Sequence, residues 1–276
     1  MKTILVPIDF TDNAANSLAY ATELARLTGA RLILFHAFEP PASVGEFQVM
    51  VLTVEELKKA HLEHLQELEM TVRQRTGGAV PTECIARSGL AVVEILSLSD
   101  ELEADMVVMG VTGGGMLSEL IVGSHAASTF RKSRVPVLIV PRDAAFRKID
   151  RVVLASDLHQ MTRAVLDRLV ALVKVFGARL LIVNVLQHAR PATVEEAAAE
   201  RSLERLLEGL DHSFHFHVNE DIVDGINEFA AEHAADLIVT IPHKHSLWHR
   251  LIHEGISTEM AFNARLPLLT VPDHMP

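Results

Sequence analysis

The sequence predicts an α/β chain of two tandem domains, each an open, doubly wound sheet of five parallel strands with helices on both faces. Three observations predict it. The chain is written twice: TGARLILFHAF at 28 to 38 returns as FGARLLIVNVL at 176 to 186, and ADMVVMG at 104 to 110 returns as ADLIVTI at 235 to 241. Each copy alternates short Val/Ile/Leu runs with longer stretches of helical period, the pattern of a parallel sheet covered on both faces. A glycine-rich stretch directly follows the fourth apolar run of the first copy, at the strand ends where such sheets take their ligands.

In the first copy the apolar runs place strands at about 3 to 8, 31 to 37, 80 to 86, 105 to 109 and 136 to 140. Helical periodicity fills the intervals near 13 to 28, 53 to 75, 91 to 103 and 118 to 131, with Gly29 set to cap the first helix at its C-terminus. In the second copy strands fall near 151 to 155, 179 to 185, 214 to 218, 236 to 240 and 267 to 271. The copies align at an offset of 148 residues through the second strand and 131 from the fourth. The 17 residues lost between are expected after the second strand, where the first copy carries PPASVGEFQVMVL. PRDAAFRK, at 141 to 148, reads as the linker, giving domains at 1 to 143 and 148 to 276. Right-handed crossovers leave few other topologies.

Composition bounds the function. With 276 residues, 49% of them hydrophobic, the chain can bury one large core or two compact ones. Its net charge of −11, spread along the chain, argues against sequence-independent nucleic-acid binding. No apolar run reaches the length of a membrane span. MKTILVPIDF is broken by Pro7 and Asp9 and reads as a strand rather than a signal peptide, so a cytoplasmic location is expected. The single Cys84 excludes an internal disulfide framework and reads as a buried thiol.

The stretch GVTGGGMLSELIVGS, residues 110 to 124, carries the chemistry. Gly110, Gly113 and Gly123 with Ser124 form the spacing Gly, two residues, Gly, nine residues, Gly, Ser. A turn without side chains exposes backbone N–H groups that can close around phosphate oxygens, and the following helix can add donors. The alternative is a flexible connection whose glycines serve helix packing. The P-loop ending in Gly-Lys-Ser/Thr and a GxGxxG after the first strand are both absent. Asp9, at the end of the first strand, could accept hydrogen bonds from vicinal ribose hydroxyls, or cap the next helix; Thr11 and Asp12 are better placed for capping.

On these residues the sequence resembles the universal stress protein family in its tandem form, over essentially all 276 positions. The resemblance implies a Rossmann-like fold of the adenine nucleotide alpha hydrolase type and reads the glycine spacing as an ATP-binding signature, present in the first domain only. By position it implies Asp9 on the ribose and the backbone of Ala37 on adenine. It implies Gly110, Gly113, Gly114, Gly123, Ser124 and His125 on the phosphates; apart from the resemblance, Mg or Mn could accompany the ATP.

Between residues 105 and 130 the ionisable side chains are Asp105, Glu119 and His125, with no lysine or arginine to stabilise a transferring phosphoryl group. A nucleotide-binding sensor or regulator of the stress response is therefore expected rather than an efficient ATPase. A slow metal-dependent ATPase and a nucleotide-free adapter are the alternatives. In the second copy Ile241, Lys244 and Glu254 replace the three signature glycines, and Gly255 replaces Ser124. The site should be lost there, although Asp157 persists opposite Asp9. His243, His245, His249 and His253 crowd the same stretch and could bind a metal or an anionic ligand, or form a polar helix face. His212, His215 and His217 alternate with apolar residues and are expected on the exposed face of a strand, without a function. The fifth strands, VPVLIV and LPLLTV, are apolar and end their sheets, so they should pair with each other as an intramolecular pseudo-dimer. A homodimer of the whole chain is left open.

Overall fold

The computed structural model describes residues 1–40, 53–110, 124–158, 161–241 and 266–272. The first half runs β1 (Thr3–Pro7), α1 (Asp12–Thr28), β2 (Arg31–Phe38), α2 (Val54–Thr76), β3 (Thr82–Ser88), α3 (Ala91–Glu101), β4 (Met106–Gly110), α4 (Ser124–Lys132) and β5 (Val137–Val140). The second half runs β6 (Arg151–Ala155), α5 (Arg163–Phe176), β7 (Arg179–Leu186), α6 (Val194–Leu206), β8 (His212–Val218), α7 (Ile222–Glu232), β9 (Leu237–Thr240) and β10 (Leu268–Thr270). The expected helix over 118 to 131 is described only from Ser124 onward; 118–123 lie outside the described residues.

The strands form one ten-stranded sheet in the order β3-β2-β1-β4-β5-β10-β9-β6-β7-β8. Every neighbouring pair is parallel except β5 with β10. That joint pairs Val137 with Thr270, Leu138 with Leu269, and Ile139 with Leu268. Since Leu138 and Leu269 are themselves equivalent positions of the repeat, a pseudo-twofold axis passes through this pair. Symmetric pairing of this kind satisfies two otherwise open strand edges at once.

Local chemistry repeats with the fold. Asp105 Oδ2 accepts from the amides of Lys2 and Thr3, and its counterpart Asp236 accepts from those of Asp150 and Arg151. Gly29 and Gly177 end α1 and α5 with φ of 69° and 64°, the left-handed cap that glycine takes without a Cβ penalty. Thr53 with Glu56 and Thr193 with Glu196 form reciprocal capping boxes at α2 and α6. Glu196, 6% exposed, also holds Arg190, and this hydrogen bond first of all lowers its carboxyl to about 2.

The missing residues are not all where they were expected. Part is lost from the connection after the second strand, but α6 has 13 residues against 23 in α2. Both boxes survive because each needs only the Thr-x-x-Glu start, so the shortening is absorbed farther along the helix.

Apolar side chains pack on both faces of the sheet, one cluster uniting Leu24, Leu34, Leu138, Leu169 and Leu269, the other Leu5, Leu98, Ile139, Phe229 and Leu268. Both clusters cross the joint. The linker is tied down as well: Asn16 Nδ2 donates to the carbonyls of Pro141 and Ala144 at 3.0 and 3.1 Å, and Phe146 meets Tyr20 edge-on at 4.9 Å.

Candidate functional site

The strand order of the first half reverses between β1 and β4, and at their carboxyl ends lies a cleft of about 160 Å³. Asp9, Ala37, Gly110 and His125 all line it. Each comes from a different connection: after β1, within the end of β2, at the end of β4, and from the first turn of α4. Gly113, Gly114 and Gly123 lie outside the described residues, and Ser124 is described only as the start of α4.

Thr11 caps α1, its hydroxyl accepting from the Ala14 amide, which leaves Asp9 to another task. Asp9 Oδ1 accepts from the Thr11 amide at 3.1 Å and from its hydroxyl at 2.6 Å. Oδ2 makes no hydrogen bond among the described residues and is open to a ligand. The turn that delivers Asp9 passes through Phe10 with φ of 61°, and its counterpart Leu158 has the same value. Positive φ at a non-glycine residue is uncommon and here belongs to the strand-to-helix turn in both halves.

Gly110 answers to a constraint that sequence spacing did not show. A Cβ there would stand 2.6 Å from the carbonyl oxygen and 3.0 Å from the carbonyl carbon of Asn13. Its glycine lets the first turn of α1 press against the end of β4. In the second half Ile241 occupies this position and α5 begins at Arg163, the counterpart of Ala15, three positions later than α1. Gly110→Ala should therefore destabilise the protein by about 1–3 kcal/mol, a fall in Tm of roughly 2–12 °C by calorimetry. An unchanged Tm would show that α1 moves away without cost.

Ile8, Phe35, Ala91, Ile95, Met109 and Ala126 give the cleft apolar walls, and Asn13 and His36 add polar side chains to its lining. Ala37 and Ala91 matter by being small. Their counterparts are Val185 and Ile222, and with Asp157 and Asn184 these reduce the equivalent cleft of the second half to about 10 Å³. The two clefts thus already differ at the strand ends, before the glycine turn is considered. The family resemblance singles out Ala37 for its backbone alone; the pairing of Ala37 with Val185 and of Ala91 with Ile222 across the repeat is the signal in the sequence for the role of side-chain size.

A cluster of rings backs the cleft on the α2 side. His36 Nδ1 lies 2.6 Å from the Ile8 carbonyl, which can only accept, so Nδ1 carries the proton. His36 and Phe38 pack on His61 with centroids at 4.4 and 4.9 Å, and Phe10 sits 5.6 Å from His64. Burial first, and then His36 and His64, push His61 below the usual histidine range. In the second half His215 is likewise pushed down, by burial and then by His233 and Arg179.

Histidines with lowered values bind protons later than the unfolded chain as pH falls, so their contribution to stability is complete at neutral pH and is lost below about 6.5. Tm should fall between pH 7.5 and 5.5, and the fall should be smaller in the His61→Gln/His215→Gln double variant. An equal fall in both proteins would remove these two residues from the acid response.

The alternating histidines of β8 are not on an exposed face as expected. His212, His215 and His217 are half-buried, with His215 and His217 packed against Phe229 of α7, while Phe216 is 41% exposed. Helices cover both faces of the strand, so polarity alternation could not choose the face. Cys84 is half-buried, Sγ donating to Glu69 Oε2 at 3.5 Å, and burial followed by Glu69 and Glu83 raises the thiol to about 12. It carries no thiolate at neutral pH. His243, His245, His249 and His253 lie outside the described residues. Among the described residues no helix is long and apolar enough to cross a membrane.

The model of the universal stress protein family matches residues 1–141 and again 148–272. The chain belongs to the universal stress protein family. A family member from Thermus aquaticus is 34% identical over 141 residues, 98% of its own length and 50% of this chain. Another, from Synechocystis, is 30% identical over 142 residues, 85% of its length and 51% of this chain. Relatives half as long are what a tandem form predicts. A solved universal stress protein from Archaeoglobus fulgidus covers 98% of this chain with 96% of its own, at a TM-score of 0.71 and 20% identity, and thus shares the fold. In this universal stress protein the two tandem domains are joined through their fifth strands.

Proposed function

We propose that this universal stress protein binds one adenine nucleotide, ATP in the first instance, in a domain spanning residues 1 to 143, and regulates a stress response by doing so. The domain from 148 to 276 keeps the fold without the site. The observation that carries the reading is the convergence of Asp9, Ala37, Gly110 and His125 on one cleft at the switch point of the sheet. In this reading the base lies between Ala37 and Ala91, its edge bonded to the backbone near Ala37, and Asp9 Oδ2 takes the ribose. Gly110, Gly113, Gly114, Gly123, Ser124 and His125 hold the phosphates through N–H groups, with Mg or Mn bound alongside them.

Among the described residues no lysine or arginine lines the cleft, which favours holding a nucleotide over transferring its phosphoryl group. The cytoplasm is the expected compartment. Mass spectrometry of the nucleotide released by denaturing freshly purified protein tests the reading directly, and ATP or ADP near one per chain is expected. Asp9→Ala removes a charge-assisted hydrogen bond of about 1.5–3 kcal/mol, so affinity should fall roughly 10- to 100-fold. No released nucleotide together with no ATP binding by calorimetry would leave a nucleotide-free adapter as the function.

A further inference from the structure

A second, larger cavity, of about 570 Å³, opens at the opposite end of the first half's sheet. Its floor is apolar, formed by Met1, Ala104, Val135 and Pro136, with Leu172 and Val175 of α5 as the facing wall. It therefore lies between the two domains, away from the nucleotide cleft.

The pseudo-twofold axis gives this cavity a twin, and the twin is filled. Arg168, which lines the cavity, is the counterpart of Tyr20. Tyr20 is 2% exposed, with Phe146 of the linker against it edge-on. Its hydroxyl is pushed up by burial and then by the nearby charge of Asp236, the counterpart of Asp105. On one side of the axis, then, two aromatic rings occupy the groove beside an aspartate. On the other side the same backbone frame presents Arg168 and open space.

Asp100, Glu103, Asp105, Arg134 and Arg168 are the charged side chains that line the open groove. Asp105 holds the amides of Lys2 and Thr3, and Asp100 pairs with Arg134 at 3.7 Å. Glu103 stands exposed at the rim. Arg168 is half-buried and has no ion pair among the described residues. A guanidinium offers both a planar face for a ring and a two-pronged donor set for a carboxylate.

We propose that this groove is a second ligand site, for a small aromatic anion: a ring takes the space that Tyr20 and Phe146 fill in the twin, and its anionic group pairs with Arg168. The volume falls within the range of small-molecule sites, roughly 300–1,000 Å³. Because the walls come from both domains, an occupant would bear on the joint between them.

The probe is 2-naphthoate, titrated into the full chain and followed by its fluorescence and by calorimetry, with neutral 2-naphthalenemethanol beside it. One saturable site per chain is expected, and 2-naphthoate should bind more tightly than the alcohol. Arg168→Leu should cost 2-naphthoate about tenfold or more in affinity and the alcohol little. Arg168→Tyr restores the twin's residue and should abolish binding of both; Leu172→Trp, filling the same space from the facing wall, should do likewise if the tyrosine variant fails to fold. Saturating ATP should leave the probe in place. Absence of saturable binding below millimolar probe, undiminished binding when the groove is refilled, or displacement by ATP would each overturn the proposal. Loss of nucleotide binding in Asp9→Ala with 2-naphthoate still bound would separate this site from the proposed nucleotide site.

Discussion

Calorimetric titration with ATP and Mg should give a stoichiometry near one per chain, and the Ala37→Val/Ala91→Ile double variant should bind at least 100-fold more weakly. The substitutions copy Val185 and Ile222, which stand where the second half has only about 10 Å³ of space. Two added side chains in a cleft of about 160 Å³ take the room a base requires and leave Asp9 and the glycine turn unaltered. Since they fill a cleft rather than a packed core, the ligand-free protein should lose little stability. Gly123→Glu, which copies Glu254 into the first half, should also abolish binding by bringing a carboxylate to the phosphates. Asp157→Ala should leave binding intact. Two equivalent sites, or full affinity in the double alanine-site variant, would sink the asymmetric reading.

The fold was legible in the sequence because buried parallel strands leave an unmistakable trace. Runs such as LILF at 32 to 35 and LLIV at 180 to 183 are buried without a polar residue on either face, and their recurrence gives the repeat its offset. Asp9, Ala37, Gly110 and His125 are the positions that the family resemblance implies, and their meeting has a physical reason: doubly wound topology collects strand ends on one side, whatever the loops contain. Other features depend on distances that no one-dimensional pattern carries. Gly110 reads as a ligand glycine, yet its Cα position also faces the Asn13 carbonyl, and only a backbone-to-backbone distance shows it. The exchange of Tyr20 for Arg168 looks like ordinary drift along a helix until the axis through Leu138 and Leu269 sets the two grooves side by side. For β8, alternation of histidine with phenylalanine suits either face of a strand that helices cover on both sides.

That axis is also where the greatest loss of stability is expected. Leu138 and Leu269 are 3% and 1% exposed and face each other across the only antiparallel pairing among the described strands. Leu138→Asp would remove a core side chain from one apolar cluster, at about 2–5 kcal/mol for the lost packing, and set a carboxylate there with no cation among the pairing residues. Burial of that charge adds a further several kcal/mol unless it takes up a proton. Because the clusters on both faces of the sheet run through the joint, the unaltered protein should unfold in one transition, and the two domains of this variant separately, in two. Leu138→Met keeps the volume and should cost less than about 1.5 kcal/mol. Raising the pH should deepen the defect of Leu138→Asp, because deprotonation restores the buried charge, while Leu138→Met should be insensitive. Differential scanning calorimetry between pH 5 and 8 reads both effects. A single cooperative transition near the original Tm in Leu138→Asp would mean that the linker contacts of Asn16 and Phe146, rather than the paired fifth strands, hold the two domains together.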